Sequence, residues 1–311
     1  MAARSFRRPA GASLVLLLVA GVLAAAAPAG PAAAGDPIFV GWSTLLPPTL
    51  DAYQPSSADS CAAGKPRCVK RTITDMSKRF EPLADACDHN AVFALAYLRT
   101  TETYANVAAE PGFFEDPAFV NHEDAVFAKY YFTAYDAWVA GQRQNVPPAW
   151  LIALDAAAAH TDSGSGNLML GMNAHVNADL PFVLAAVGLV KPDGTSRKPD
   201  HDKVNEFLNQ VVQPLLEEEA ARFDPTMDDT NSPYGITYTV LMQALTGWRE
   251  TAWRNAERLV NAPDDATREA IARDIQDFAA ANAQALQLQY AYLPPLTTSS
   301  ARDQYCSLNH G

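Results

Sequence analysis

The segment Val69-Lys-Arg-Thr-Ile-Thr-Asp-Met-Ser-Lys-Arg-Phe-Glu-Pro-Leu83 carries the most information about the architecture. Its large apolar residues recur at intervals of three and four positions, and they are Val69, Ile73, Met76, Phe80 and Leu83. Because an α-helix has about 3.6 residues per turn, this spacing places all of these side chains on one face. The segment is therefore predicted to form an amphipathic helix that packs against a protein core.

The same periodicity extends along most of the chain on either side of this segment. Further helices are predicted over residues 90–104, 117–141, 149–160, 168–189, 203–220, 233–261 and 265–290. The sequence lacks the regular alternation of polar and apolar residues that indicates half-buried strands. The pattern therefore predicts an all-α fold, a single-domain bundle of about eight helices.

The N-terminal residues have the composition of a secretory signal peptide. Three arginines precede an apolar run from Leu14 to Ala26, and small residues follow up to Ala34. We expect cleavage near Ala34 and a secreted, extracellular protein. The remaining chain is expected to comprise an extended arm over residues 35–66, a helical domain over residues 67–290 and a C-terminal tail over residues 291–311.

Charge and hydropathy argue against two classes of partner. The chain has a net charge of −12, and removal of residues 1–34 takes away arginines but no acidic residue. Nucleic-acid binding requires a basic face, and the lysines and arginines of this chain form no cluster. Outside the signal peptide, no apolar run approaches the roughly 20 residues that span a bilayer. We therefore expect no nucleic-acid partner and no membrane span.

Four cysteines, Cys61, Cys68, Cys87 and Cys306, lie in the part expected to be exported, where disulfides form readily. One possible pairing joins Cys61 to Cys68 across a short loop and Cys87 to Cys306 near the C-terminus. Another joins Cys61 to Cys87 and Cys68 to Cys306, and the sequence leaves the choice open. The alternative role for these cysteines is to bind zinc, but the chain lacks the Cys-x-x-Cys pair typical of such sites.

The candidate site lies in residues 171–181, Gly-Met-Asn-Ala-His-Val-Asn-Ala-Asp-Leu-Pro. Polar groups on a buried helix face cost free energy unless they have partners, so this polar run inside an apolar stretch needs an explanation. His175 and Asp179 are one helical turn apart and project in the same direction. They are predicted to be catalytic residues. Pro181 is expected to kink the helix, because it lacks an N–H group.

Asp124, on the apolar face of another predicted helix, is a candidate to join His175 and Asp179 in binding one divalent metal ion. Such a site would lower the pKa of a bound water molecule and support a hydrolase reaction. A small polar ligand is the other predicted partner. Its candidate binding residues are Asn173, Asn177, Asn205, His201 and Tyr131.

Plainer interpretations compete with these assignments. His175 and Asp179 would also be explained by a hydrogen-bonded pair that fixes helix packing in a non-catalytic envelope protein. Asp202 lies where an N-terminal helix cap or first-turn acid is favoured. His122 and Glu123 are expected on a solvated helix face, where first-turn acidic residues are common.

The chain resembles a bacterial, mainly actinobacterial, family of secreted proteins of unknown function. Three motifs carry the resemblance: Asn-Ala-His-Val-Asn-Ala-Asp-Leu-Pro at 173–181, Asp-Ala-Val-Phe-Ala-Lys-Tyr-Tyr at 124–131, and Asp202 with Asn205. The resemblance covers about residues 40–290. It implies a helical domain and a role for Asp124, Asn173, His175, Asp179 and Asn205, but it brings no activity.

Overall fold

The computed structural model describes residues 53–228 and 236–309. The predicted signal peptide and residues 35–52 of the predicted arm lie outside these ranges. Ten α-helical segments are present in the described ranges: α1 (Pro66–Asp85), α2 (Ala91–Val107), α3 (Pro117–Val139), α4 (Pro148–Ala158), α5 (Gly164–Asn173), α6 (Leu180–Val187), α7 (Lys198–Arg222), α8 (Ile236–Val260), α9 (Asp265–Tyr290) and α10 (Ser300–Asn309).

The all-α prediction is confirmed. Within the described ranges the chain forms helices, turns and two isolated β-bridges, with no strand or sheet. Segments α5 and α6 are joined by a π-helical segment, Ala174–Asp179, into one continuous rod. The eight predicted helices therefore correspond to α1 to α4, this rod, and α7 to α9, while α10 lies in the predicted tail. In the described part of the chain, no helix has the length and apolar character needed to cross a membrane.

The helix starts follow local chemistry. Proline occupies the first turn of α1, α3 and α4, where its missing N–H group leaves no hydrogen bond unmade. Ser163 caps α5 by accepting a hydrogen bond from the backbone N–H of Gly166, at 3.2 Å. Asp264 caps α9 in the same way through the N–H of Thr267, at 2.7 Å. These caps fix where the rod and α9 begin.

The rod of α5, the π segment and α6 is the centre of the domain. Helices α2 and α4 pack against α5, α3 and α8 pack against α6, and α9 packs against α5 and the π segment. All six residues of the π segment are buried. The polar run in the sequence therefore lies at the centre of the core, where every polar atom needs a partner or a cavity.

A π segment lies just before Pro181, where a kink was predicted. A π-turn contains one more residue than an α-turn, and the segment ends just before α6, whose first turn contains Pro181. The π segment changes the local hydrogen-bond pattern before the proline, and α6 follows it to Val187. Gln276 of α9 donates from Nε2 to the carbonyl of Ala178, at 3.0 Å, and satisfies one backbone group of the widened turn.

Two disulfides, Cys61–Cys68 and Cys87–Cys306, are present. This is the first of the pairings considered from the sequence. The second bridge ties α10 to the turn before α2. Further contacts hold α10 to the domain: Arg302 donates from Nη1 to Oδ1 of Asn167 at 2.6 Å.

Candidate functional site

A cavity of about 150 Å³ lies between α2, α3, the central rod, α7 and α8. Most of its wall is hydrocarbon, contributed by residues that include Phe93, Leu168, Met172, Val204, Phe207 and Leu245. An engineered apolar cavity of this size admits benzene. The cavity is therefore large enough for a small organic molecule with an apolar body.

Polar side chains from four elements also line this cavity. Tyr97 comes from α2, Glu123 and Asp124 from α3, His175 from the π segment and Arg249 from α8. A mostly apolar cavity with a few convergent polar groups is the usual form of a small-molecule site. The predicted site residues Asp124 and His175 thus border the same cavity.

His175 is held in one orientation by a chain of hydrogen bonds. The indole Nε1 of Trp150 donates to Oδ2 of Asp179 at 2.9 Å, and Nδ1 of His175 lies 3.1 Å from the same oxygen. Since Oδ2 also acts as an acceptor toward the indole, we assign the proton of the neutral imidazole to Nδ1. The lone pair of the ring is then on Nε2.

Burial governs the charge of this pair. It lowers the pKa of His175 well below its usual range, so the imidazole is neutral at physiological pH. It also raises the pKa of Asp179 well above the usual carboxyl value, although the hydrogen bond from Trp150 opposes that shift. Phe127 covers one face of the imidazole, with ring centroids 3.5 Å apart. His175 is therefore fixed by stacking as well as by its hydrogen bond.

Four buried polar atoms of cavity-lining residues have no hydrogen-bond partner within the described part of the chain. They are Oη of Tyr97, Oδ2 of Asp124, Nε2 of His175 and Nε of Arg249. A buried polar atom without a partner costs about 1–3 kcal/mol of stability. Four such atoms on the residues around one cavity mark it as the candidate site.

Glu123 and Asp124 of α3 are both partly exposed and line the cavity. Burial raises the pKa of Asp124 to about 8, and the charge of Glu123 raises it further. Burial also raises the pKa of Glu123 to about 7, although the positive charge of Arg249 opposes the shift. At neutral pH, Asp124 is therefore mainly protonated and uncharged.

Arg249 and Glu123 were not among the predicted site residues. Glu123 was expected on a solvated face, but it borders the cavity, and His122 is buried with Nδ1 2.9 Å from the carbonyl oxygen of Cys61. The expectation for His122 was wrong because the start of α3 packs against the Cys61–Cys68 loop, whereas Glu123 is partly exposed. Arg249 is not part of an apolar repeat. The one sequence feature that could have predicted its position in the cavity is that it follows Leu245 by one helical turn on α8.

Asn173 and Asn177 face α9 in the structure. Asn173 donates from Nδ2 to the carbonyl of Ala279 at 2.8 Å, and its Oδ1 accepts from Asn282 at 2.7 Å and from Asn177 at 2.9 Å. This network joins the rod to α9. Ligand binding by Asn173 and Asn177 stays a prediction, and the observed hydrogen bonds agree with the packing interpretation.

The remaining predicted binding residues are His201, Asn205 and Tyr131, and each lies at a separate position in the structure. His201 joins α7 to α8: its Nε2 lies 3.2 Å from the carbonyl oxygen of Arg249, whose Nη2 donates to the His201 carbonyl at 2.7 Å. Asn205 has a buried Oδ1 without a partner in the described residues. Tyr131 packs on Trp150, with ring centroids 5.2 Å apart. His201 therefore reaches the cavity only through Arg249.

The predicted metal ligands Asp124, His175 and Asp179 remain a prediction. In the described part of the chain, a group of potential ligand atoms within 4.8 Å of one another occurs elsewhere, at His89, His160 and Asp303. There, Nη1 of Arg302 lies 3.1 Å from Nδ1 of His89, and the two imidazoles stack with centroids 3.8 Å apart. Nε2 of His89 and Nδ1 of His160 both lie close to Oδ1 of Asp303, at 2.8 and 3.3 Å, so the carboxylate itself already contacts both rings.

The comparisons with known proteins agree with the helical domain. No curated protein and no solved structure matches the chain. A family model matches residues 69–289, which runs from the start of the amphipathic segment in α1 to the end of α9 and includes every residue of the cavity. By this match the chain belongs to DUF5995, a family of unknown function.

Proposed function

We propose that this protein binds a small amphipathic molecule in the cavity between α2, α3, α7, α8 and the central rod. The ligand has an apolar body no larger than about a substituted benzene ring and one hydrogen-bonding group. The body lies against the hydrocarbon wall, and the polar group meets Tyr97, Asp124 and His175. The observation that carries the proposal is the set of four buried polar atoms without partners on residues that line the cavity, which are Oη of Tyr97, Oδ2 of Asp124, Nε2 of His175 and Nε of Arg249.

The polar end of the cavity can both donate and accept hydrogen bonds. A protonated Asp124 and the Tyr97 hydroxyl are donors, and Nε2 of His175 is an acceptor. A phenol, an alcohol or a ketone satisfies at least one of these groups, and a pure hydrocarbon satisfies none. Selectivity for the polar compound is therefore the property that separates this proposal from nonspecific filling of an apolar hole.

Calorimetric titration with p-cresol and with toluene tests the proposal, since the two probes differ by one hydroxyl group. We expect p-cresol to bind about threefold to tenfold more tightly, which is the contribution of one net hydrogen bond. Tyr97→Phe should reduce this preference and leave the fold intact, because the lost hydroxyl has no partner in the protein. Tyr305→Phe, which alters an exposed hydroxyl, serves as the matched control. Equal affinity for the two probes, or no binding of either, would contradict the proposal.

A metal-dependent hydrolase is the second candidate. It is favoured by one observation: His175 and Asp124 line the same cavity, and Nε2 of the first and Oδ2 of the second have no hydrogen-bond partner in the described part of the chain. If Asp124, His175 and Asp179 hold a divalent ion, Zn²⁺ should raise the melting temperature of the chelator-treated protein, and Asp124→Asn should remove that effect. The absence of any Zn²⁺-dependent shift would leave only the binding function.

We also propose that the protein is exported. The composition of residues 1–34 supports this, as do the two disulfides, because disulfide bonds persist in oxidising compartments. Mass spectrometry of the protein released by its source cells tests it. A new N-terminus near Gly35 is the expected result, and retention of residues 1–34 inside the cell would contradict it.

A further inference from the structure

We infer that the ligand of the cavity is a small amphipathic carboxylate, and that Arg249 of α8 binds its anionic group. This inference rests on the proposed binding function, since the molecule must occupy the cavity, and it adds the chemical class of the polar group. The observation behind it is a buried guanidinium that lines the cavity and forms no ion pair in the described part of the chain.

Arg249 is a buried charge at the cavity wall. Only 5% of the residue is exposed. Burial lowers the pKa of Arg249 to about 10, so the guanidinium is still positively charged at neutral pH. A charged group removed from water costs free energy unless a counter-charge and hydrogen bonds replace its hydration. The side chain therefore needs an anion.

The hydrogen-bond partners of Arg249 are neutral. Its Nη2 donates to the carbonyl oxygen of His201 at 2.7 Å and lies 3.3 Å from Nδ1 of the same residue. Because a guanidinium has no acceptor, we assign the imidazole proton to Nε2, which lies 3.2 Å from the carbonyl oxygen of Arg249. These contacts hold the guanidinium in place but do not neutralise its charge.

Part of the guanidinium is left for another group. Nη2 carries two of its five N–H donors, and the other three are on Nε and Nη1. These two nitrogens make no hydrogen bond in the described part of the chain. Nε is enclosed by protein, so we assign the ligand carboxylate to Nη1 at the end of the side chain.

The acidic side chains around Arg249 do not take this role. Asp202 is exposed and accepts a hydrogen bond from Nζ of Lys198 at 2.8 Å. Glu123 and Asp124 line the same cavity, but both are partly exposed and neither forms an ion pair with Arg249. Water and salt screen partly exposed carboxylates more than they screen a buried guanidinium. The cavity wall beside Arg249 therefore favours a negative group.

The rest of the wall favours an apolar body. Leu241 and Leu245 precede Arg249 by two turns and one turn on α8, and all three line the cavity. Val204 and Leu208 of α7 also line it. An inorganic anion would leave this hydrocarbon uncovered, whereas a ring or a short chain would cover it. On the size of molecules that such cavities admit, the body contains about six to eight carbon atoms.

Benzoate, benzamide and acetate are the probes that test this inference. Benzoate and benzamide have nearly the same shape and differ in charge, whereas acetate carries the charge without the ring. In calorimetric titrations at neutral pH, benzoate should bind about 10-fold to 100-fold more tightly than benzamide, which is the contribution of a hydrogen bond to a charged group. Acetate should bind at least about tenfold more weakly than benzoate, because it buries little apolar surface.

Arg249→Met is the decisive variant, because methionine is a long side chain without charge. It should bind benzoate and benzamide with affinities within about threefold of each other, since the charged hydrogen bond is lost. Arg249→Lys keeps the charge and should retain part of the preference for benzoate, which provides a test if the methionine variant does not fold. Arg254→Met removes an exposed arginine of the same helix and, as the matched control, should keep the wild-type preference.

The outcomes separate the two proposals. Equal affinity of the wild-type protein for benzoate and benzamide, together with tighter binding of p-cresol than of toluene, would overturn the carboxylate inference and leave the binding function standing. Failure of both benzoate and p-cresol to bind would overturn both proposals. A preference for benzoate that survives in Arg249→Met would place the anion elsewhere, and acetate binding as tight as that of benzoate would indicate a general anion site. Either result would also overturn the inference.

Discussion

Phe127 of α3 and His175 of the π segment stack face to face, with ring centroids 3.5 Å apart and ring planes only 4° from parallel. This contact couples the two sequence motifs that suggested a site, one around Asp124 and the other around His175. It also explains why His175 has one free nitrogen. Stacking fixes the ring plane, Nδ1 is hydrogen-bonded to Asp179, and Nε2 has no partner in the described part of the chain.

Protonation of Asp124 in the folded state should make stability depend on pH. The native pKa is about 8, against 3.8 as the usual value, so the native state holds a proton that the unfolded state releases between these values. Stability therefore falls as pH rises through this window, by at most about 1.4 kcal/mol per pH unit. Asp124→Asn should lose this component of the slope.

Urea unfolding of wild type and Asp124→Asn at several pH values checks the prediction. The other groups around Asp124 are present in both proteins, so their titration largely cancels in the difference; they are Glu123, Tyr97, Tyr104, His175 and Arg249. The stability of the variant relative to wild type should increase as the pH is raised from about 5 to about 8. Parallel pH profiles would show that Asp124 is ionised in the native state.

Gly171 marks a close approach between the rod and α2. A Cβ atom at this position would lie 2.4 Å from ring atoms of Phe93 and 2.7 Å from its Cβ, which the backbone holds. Gly171→Ala should therefore destabilise the protein by about 1–3 kcal/mol. Gly247, on the exposed face of α8, has no atom within 4 Å of such a Cβ.

Gly247→Ala is the matched control for this prediction. It should stabilise the protein by about 0.5–1 kcal/mol, because alanine is the better helix former and nothing obstructs it. Thermal unfolding of the two variants gives both values. A gain in stability for Gly171→Ala would mean that α2 and the rod are farther apart than the structure shows.

The hydrogen-bond network of Asn173 predicts a large effect for a small change. Asn173→Ala removes two hydrogen bonds that join the rod to α9 and one within the rod, and it leaves the buried carbonyl of Ala279 without its donor. We expect a loss of about 3 kcal/mol in the free energy of unfolding. Asn282→Ala removes one of these bonds at a partly exposed position and should cost less than about 1 kcal/mol.

Chemical denaturation measures both variants, and p-cresol affinity is the second readout. If Asn173 serves packing alone, the affinity per folded molecule should be unchanged. A large drop in affinity with little loss of stability would instead restore the ligand-binding role that was predicted for it.

The two disulfides should differ in their contribution to stability. Cys87 and Cys306 are separated by 219 positions, whereas Cys61 and Cys68 are separated by 7. On the loop-entropy model, removing the long-range bridge costs roughly 5 kcal/mol and removing the short one roughly 2 kcal/mol. Urea unfolding of the two double Cys→Ser variants compares them, and equal losses would contradict this account.

The sequence predicted most of the fold because its dominant signal is apolar periodicity. Val69 to Leu83 and the corresponding faces of the other helices lie where the 3.6-residue repeat placed them. The π segment was not predicted, since an inserted residue leaves no mark in composition. It comes just before Pro181, the residue at which a kink was predicted.

The candidate site was predicted only in part, for physical reasons that differ by residue. His175 and Asp124 stood out because polar residues on apolar faces are costly. Glu123 did not, because an acidic residue in the first turns of a helix is usually solvated, and only the packing of α3 places it beside the cavity. The inward position of Arg249 depends on how α8 crosses the rod, which no local pattern encodes.

A crystal structure of the protein soaked with 4-bromophenol tests the central claim most directly, since bromine can be located by anomalous scattering. Bromine should lie among the apolar residues of the cavity, with the hydroxyl group within hydrogen-bond distance of Nε2 of His175. Bromine at any other place, or a hydroxyl group directed at the hydrocarbon wall with Nε2 left unpaired, would contradict the account.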